Sequence, residues 1–113
     1  MEYINKVKLR GKVGKVSIKT IQNYFSINFG LLVVEIYKSS SGEVLAKNNW
    51  FSINYLVNPK KNPTVIKEGD EAEIEGTLRT QSLSVNHIDT EDANPNLIYI
   101  KATTVKIIEN GET

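Results

Sequence analysis

Residues 24–57 read YFSINFGLLVVEIYKSSSGEVLAKNNWFSINYLV, two long runs with apolar side chains at alternate positions, parted by a serine–glycine cluster. In the first run Phe25, Ile27, Phe29, Leu31 and Val33 share one face, which predicts a strand over 24–37 with Gly30 as a kink. Ser39-Ser40-Ser41-Gly42 has turn chemistry. The second run predicts a strand over 47–57 with Phe51, Ile53, Tyr55 and Val57 pointing inward. A spacing of two rather than 3.6 makes this segment a pair of half-buried strands, and hence sets the chain in the all-β class.

The same period continues on both sides. Upstream, Val7, Leu9 and Val13 alternate with Lys6, Lys8, Arg10 and Lys12, a strand over 4–13 in which Gly11 and Gly14 predict a bend or bulge. Val16, Ile18 and Ile21 form a weaker second segment. Downstream, Asn58-Pro59-Lys60-Lys61-Asn62-Pro63 breaks the pattern, and Asn62 as cap with Pro63 at the first helical position predicts a single helical turn. Beyond the turn Glu68-Gly69-Asp70, the residues Ala72, Ile74, Gly76 and Leu78 alternate with Glu71, Glu73, Glu75, Thr77 and Arg79. Residues 86–96 are polar and acidic, a loop, and 98–108 form the last strand. No repeat or linker divides the 113 residues, so one domain over 1–113 is expected. Five or six strands with at most a vestigial helix suit an OB-fold, a five-stranded Greek-key barrel.

Composition narrows the function. The absence of cysteine excludes a disulfide framework, a thiolate metal site and a cysteine nucleophile, and fits a cytoplasmic protein. The longest apolar run, residues 31–34, is far short of a membrane span, and the charged N-terminus has no apolar stretch for a signal peptide. No membrane partner is expected. The net charge of +1 hides an asymmetry: residues 1–61 hold ten Lys/Arg against three acids, and residues 62–113 hold four against ten. A basic first half fits a nucleic-acid partner as well as it fits an ordinary solvated face.

Residues with catalytic potential are few. His87 is the only histidine and no nucleophile motif surrounds it, so a loop residue is the simpler reading. Glu71, Glu73 and Glu75 share a strand face, which solvation explains without a metal. Asp89-Thr90-Glu91-Asp92 lacks the glycine and closing glutamate of a calcium loop. No enzyme, metal site or cofactor is expected.

Trp50 is different. It shares its face with Ser52 and Asn54 while the opposite face of the strand is apolar, so it is poorly placed for the core and well placed to stack on an unpaired base. Tyr37, at the end of the apolar run and before the serine turn, is a second stacking candidate, with barrel-end packing as its alternative. The stripe Lys6, Lys8, Arg10 and Lys12 either contacts phosphates or protects an edge strand from aggregation.

Three blocks, in order, resemble the bacterial single-stranded DNA-binding protein (SSB) family. Residues 5–14, NKVKLRGKVG, resemble its first strand; residues 49–53, NWFSI, are similar to its tryptophan-bearing third strand; residues 66–80, IKEGDEAEIEGTLRT, match its most distinctive block in order and spacing. The resemblance implies an OB-fold that wraps single-stranded DNA as a homo-oligomer, a tetramer rather than a dimer, in replication, recombination or repair. It places Trp50 at a base-stacking tryptophan, Tyr37 within about one residue of another aromatic, and Arg79 at a phosphate-contacting arginine. Leu83 and Gln81 stand where the family often has a tryptophan and a second arginine, and Leu56 replaces a stacking phenylalanine with Tyr55 beside it. Fewer platforms imply weaker or shorter-site binding. The sequence stops at Thr113 without the family's glycine-rich linker and acidic tip, as expected either of a member whose tail has been removed or of a tailless relative, and the recruitment of other enzymes is not carried over. A primosomal OB-fold protein, an RNA-binding OB domain, and a protein-interaction OB module using residues 31–34 are the alternatives.

Overall fold

The computed structural model describes residues 2–60, 65–82 and 96–109. Five strands make up the architecture: β1 (Val7–Ile21), β2 (Tyr24–Lys38), β3 (Val44–Val57), β4 (Glu71–Ser82) and β5 (Asn96–Ile108). They close into a barrel in the order β1-β2-β3-β5-β4, with β1 returning to β4. Every pair is antiparallel except β3 with β5. This is the five-stranded barrel expected of an OB-fold. Among the described residues there is no helix; the helical turn expected at Asn62 and Pro63 falls outside them, as do His87, Leu83 and the acidic run 89–92.

The core follows the alternation. Ile27, Phe29 and Leu31 from β2, Ile53 and Val57 from β3, Ala72 and Ile74 from β4, and Ile100, Ala102 and Val105 from β5 are buried together. Leu31, Ile53 and Ile74 are the largest fully buried side chains; each such burial is worth roughly 1.5–3 kcal/mol. Ile66, from the β3–β4 connection, adds a further buried side chain. Phe51 and Tyr55 pack against this cluster half-buried, and Phe25 is only half-buried, paired with Val57. Two close crossings require glycine. A Cβ on Gly11 would collide with the backbone carbonyl of Leu32, and one on Gly76 with that of Lys101.

The two segments expected upstream of residue 21 are one strand of 15 residues. Val13 pairs with Leu31 but Val16 with Phe29, so two residues of β1, Gly14 and Lys15, oppose Gly30 alone. This bulge shifts the inward phase from odd to even positions, letting both Val13 and Val16 reach the core. The kink expected at Gly30 is therefore on the opposite strand: β2 and β3 pair without a shift from Phe25↔Val57 to Lys38↔Val44. A second bulge lies in β5, where Glu75 pairs with Thr104 and Gly76 with Ala102, and the Thr103 hydroxyl donates to the Glu75 carbonyl at 3.1 Å.

Asn5, just before β1, lengthens the β1–β4 seam with its side chain. Its amide donates to the Leu78 carbonyl and its oxygen accepts from the Leu78 N–H, both at 2.8 Å. The Ser39 to Glu43 turn closes the β2–β3 hairpin with Gly42 at φ 90°. Gln22, in the two-residue β1–β2 turn, sits at φ 53° without being glycine.

Candidate nucleic-acid interface

On the outer wall of β2 and β3 the alternation turns a different set of residues away from the core: Ser26, Asn28, Gly30 and Leu32 on β2, Ser52, Asn54 and Leu56 on β3, with Trp50 at one end. A groove of about 650 Å³ runs along this wall. Asn28, Asn54 and Ser52 line it with the buried Ser26; Lys15 from β1 and Lys101 from β5 also line it, as do the apolar Ile21, Leu56 and Ile98. Among the described residues no carboxylate lines it. The polar floor is internally tied. Asn54 Nδ2 donates to Ser26 Oγ at 2.9 Å and to Asn28 Oδ1 at 2.8 Å, and Asn28 Nδ2 donates to Ser26 Oγ at 3.4 Å.

Trp50 owes its position to two glycines. A Cβ on Gly14 would lie 2.8 Å from Trp50 Cζ3, and one on Gly30 would lie 3.2 Å from Cε3, so the benzo ring of the indole lies directly against both backbones. The residue is nonetheless 61% exposed. An aromatic ring supported on one side and open to solvent on the other is a stacking platform that loses little side-chain freedom when a second ring lands on it. The sequence placed Trp50 on a polar face; that Gly14, in the bulge of β1, supports it is a contribution of the tertiary fold.

Other sequence candidates are distributed differently. Arg79, on β4, is exposed and donates Nε to Thr77 Oγ1 at 2.9 Å; its strand partner is Tyr99, which lines the groove, and Thr77 pairs with Lys101. Arg79 thus borders the groove on its β5 side. Tyr37 is 47% exposed at the far end of β2, paired with Leu45. Trp50 pairs with Leu32, an odd number of residues from Tyr37, and successive side chains alternate faces, so Trp50 and Tyr37 project from opposite faces of the β2–β3 ribbon. Val34, Ile36 and Val44 carry the Trp50 face onward as exposed apolar side chains. Of the apolar run 31–34, Leu31 is fully buried and Val33 packs on the core, leaving Leu32 and Val34 nearer the surface. Tyr55 is turned to the core side, and Leu56 faces the groove at that level.

The β1 cations meet the β4 acids. Lys8 pairs with Glu75, Arg10 with Glu73 and Lys12 with Glu71 in the strand register. Lys8 Nζ lies 3.6 Å from Glu73 and 3.7 Å from Glu75, and Arg10 Nε lies 3.1 Å from Glu71. The charge asymmetry of the sequence is thus folded face to face along this seam. Each exposed pair contributes roughly 0–1 kcal/mol and is screened by salt. Lys6 and Lys12 make no ion pair among the described residues, and neither do Lys15 and Lys101 in the groove. Sequence reasoning passed over Lys15, Lys101, Tyr99 and Asn28. Lys101 alternates with buried Ile100 and Ala102, a signal available in principle; Lys15 needed the bulge to be placed.

No protein-family description matches the chain, and no curated protein sequence is similar to it. Solved structures are. The chain is similar to a Plasmodium falciparum SSB in complex with single-stranded DNA, with a TM-score of 0.74 at 19% identity over 96% of this chain and 98% of that one. It is also similar to a deletion mutant of the single-stranded DNA-binding protein from Thermus aquaticus, with a TM-score of 0.77 at 14% identity; it covers 52% of that protein. The N-terminal domain of PriB from Thermoanaerobacter tencongensis, solved as a dimer, follows with a TM-score of 0.57 at 18% identity over 94% of this chain. At these identities the likeness is one of architecture, and the chain is an OB-fold barrel of the form found in single-stranded DNA-binding proteins.

Proposed function

We propose that this chain is a single OB-fold domain that binds single-stranded DNA with little sequence preference and catalyses nothing. The observation that carries the reading is Trp50: a ring laid across Gly14 and Gly30, open on its other face, beside a groove that is lined, among the described residues, by two lysines and no carboxylate. Stacking is indifferent to base identity because every base has a π-face. Lysines on either side of the groove supply the phosphate contacts that displace counterions. Arg79 extends that path on the β5 side, and Lys6 and Lys12 extend it across β1. Lys8 and Arg10 join it only by exchanging a carboxylate for a phosphate, which makes them the weaker contributors. Tyr37 is a second stacking position on the far side of the ribbon, reached by a strand that winds around it, whereas Tyr55, packed on the core side, backs the groove wall and does not meet a base.

The assembly we propose is a homo-oligomer, a tetramer rather than a dimer. Exposed Val34, Ile36 and Val44 on one ribbon face support it, since a lone domain in water gains nothing from such a surface. A cytoplasmic role in replication, recombination or repair follows from this binding mode. The test is Trp50→Ala measured against oligo-dT by fluorescence anisotropy, with light-scattering mass for the assembly. A loss of about 5- to 150-fold is expected, the equivalent of one stacked base at about 1–3 kcal/mol; unchanged affinity would sink the stacking claim. A mass of two chains would favour the PriB-like assembly, and tighter binding to oligo-rU than to oligo-dT would move the reading to RNA.

A further inference from the structure

The amides on the groove floor have a hydrogen-bonding state fixed by the fold. Asn54 Nδ2 spends both hydrogens, one on Ser26 Oγ and one on Asn28 Oδ1. Its orientation is thereby set, and its Oδ1 is left as an acceptor. Asn28 accepts on Oδ1 and gives one N–H to Ser26, which leaves the second N–H of its amide as a donor. Ser26, at 4% exposure, anchors both from beneath. Asn28 and Asn54 are cross-strand partners, so this acceptor and this donor, without partners among the described residues, are held side by side on adjacent strands. Both residues line the groove between Lys15 and Lys101.

We infer that this amide pair is a base-reading subsite, which takes the Watson–Crick edge of one unpaired base while the groove lysines hold its phosphates. The inference rests on the proposed binding of single-stranded DNA and adds to it a position at which base identity matters. A donor beside an acceptor on a rigid mount complements a base edge bearing an acceptor beside a donor. Adenine and cytosine present an amino donor with a ring-nitrogen acceptor. Guanine and its analogue hypoxanthine present the reverse order, a keto acceptor with a ring N–H donor, whereas thymine, with a keto acceptor on each side of its N–H, offers both orders. A mount of fixed orientation therefore separates adenine and cytosine from guanine and hypoxanthine, and thymine fits it either way. The Watson–Crick edge is free only in single strands, so the subsite also discriminates against duplex. A groove of about 650 Å³ is within the size range of small-ligand sites.

The experiment compares the affinities of oligo-dA, oligo-dC and oligo-dI (hypoxanthine as base) of equal length for the full chain and for two variants. Asn28→Asp keeps the acceptor that Asn54 Nδ2 uses and removes the second N–H together with the long bond to Ser26; Asn28→Ala removes the acceptor as well. The wild type is expected to place dA and dC together and at least about fivefold apart from dI, and both variants to narrow that gap to within about twofold. The added charge of Asn28→Asp weakens all three oligonucleotides alike, and the self-stacking of dA is common to every protein, so both cancel in the ratio. A gap that survives in both variants, or a wild type that binds all three within twofold, overturns the subsite while leaving the general binding reading standing. Failure of every oligonucleotide to bind the wild type overturns the binding reading itself.

Discussion

Alanine at Gly14 is a test of the platform that leaves the platform's own atoms in place. Neither Gly14 nor Gly30 has a left-handed backbone, so alanine is conformationally acceptable at both, and the cost is steric. A Cβ at Gly14 would lie 2.8 Å from Trp50 Cζ3 and 3.2 Å from Cη2. Carbon atoms in contact prefer about 3.5–4.0 Å, so the indole must tilt or rise by something on the order of 1 Å. At Gly30 the corresponding distances are 3.2 and 3.4 Å, and a displacement of a few tenths of an ångström suffices. A stacked base contributes about 1–3 kcal/mol, and tilting its platform forfeits part of that. We expect Gly14→Ala to weaken oligo-dT binding by roughly 3- to 30-fold, about 0.7–2 kcal/mol, Gly30→Ala by less, and Trp50→Ala by more than either. Anisotropy titrations at fixed salt measure the affinities, urea unfolding checks that the barrel is intact, and the emission maximum of the single tryptophan reports the displacement. The reasoning is refuted if Gly14→Ala moves the tryptophan emission but binds oligo-dT like the wild type.

Other outcomes follow from the same geometry. Replacing Lys15 and Lys101 by alanine should lower the slope of log affinity against log salt by about 1.4, at about 0.7 per phosphate contact on a single strand; the double change at Lys8 and Arg10, already paired with β4 glutamates, should lower it by clearly less, and equal slopes would contradict the ranking. Asn5→Ala should cost about 1–2 kcal/mol in urea unfolding, because both hydrogen bonds to Leu78 are lost at an otherwise unpaired stretch of backbone; an unchanged midpoint would mean that water replaces them fully. Gln22→Gly should stabilise by about 0.5–1 kcal/mol, since φ 53° is a conformation that glycine adopts without strain, and a lowered melting temperature would count against that account.

The barrel was legible because period-two patterning reports strands directly: residues 24–37 and 47–57 fall within β2 and β3, and the alternation from Ala72 to Leu78 lies within β4. What alternation does not report is a change of phase. The β1 bulge at Gly14 and Lys15 moves the inward positions from odd to even, so one strand read as two and Lys15 could not be given a face. The same blind spot affected Gly30: its glycine is explained by the indole lying on it, a contact with a residue 20 positions away. Trp50 was found because a tryptophan on a polar face is anomalous within its own strand. Asn28 and Lys101 were not, because a polar residue on an outward face is what any solvated strand shows; only the closing of the barrel brings them together in one groove. The β1 lysine stripe was visible, and its β4 counterpart was visible, but their pairing depends on a contact between the first and fourth strands that no local pattern encodes.

The central claim is that Trp50 stacks on single-stranded DNA beside a cationic groove, and the chain has no other tryptophan to confuse the signal. Its intrinsic fluorescence should be followed during titration with a long oligo-dT, repeated at rising salt. The account predicts quenching that saturates and an affinity that falls as salt rises. Unchanged fluorescence, together with no mobility shift of the oligonucleotide, would contradict it and point to an OB-fold that contacts protein instead.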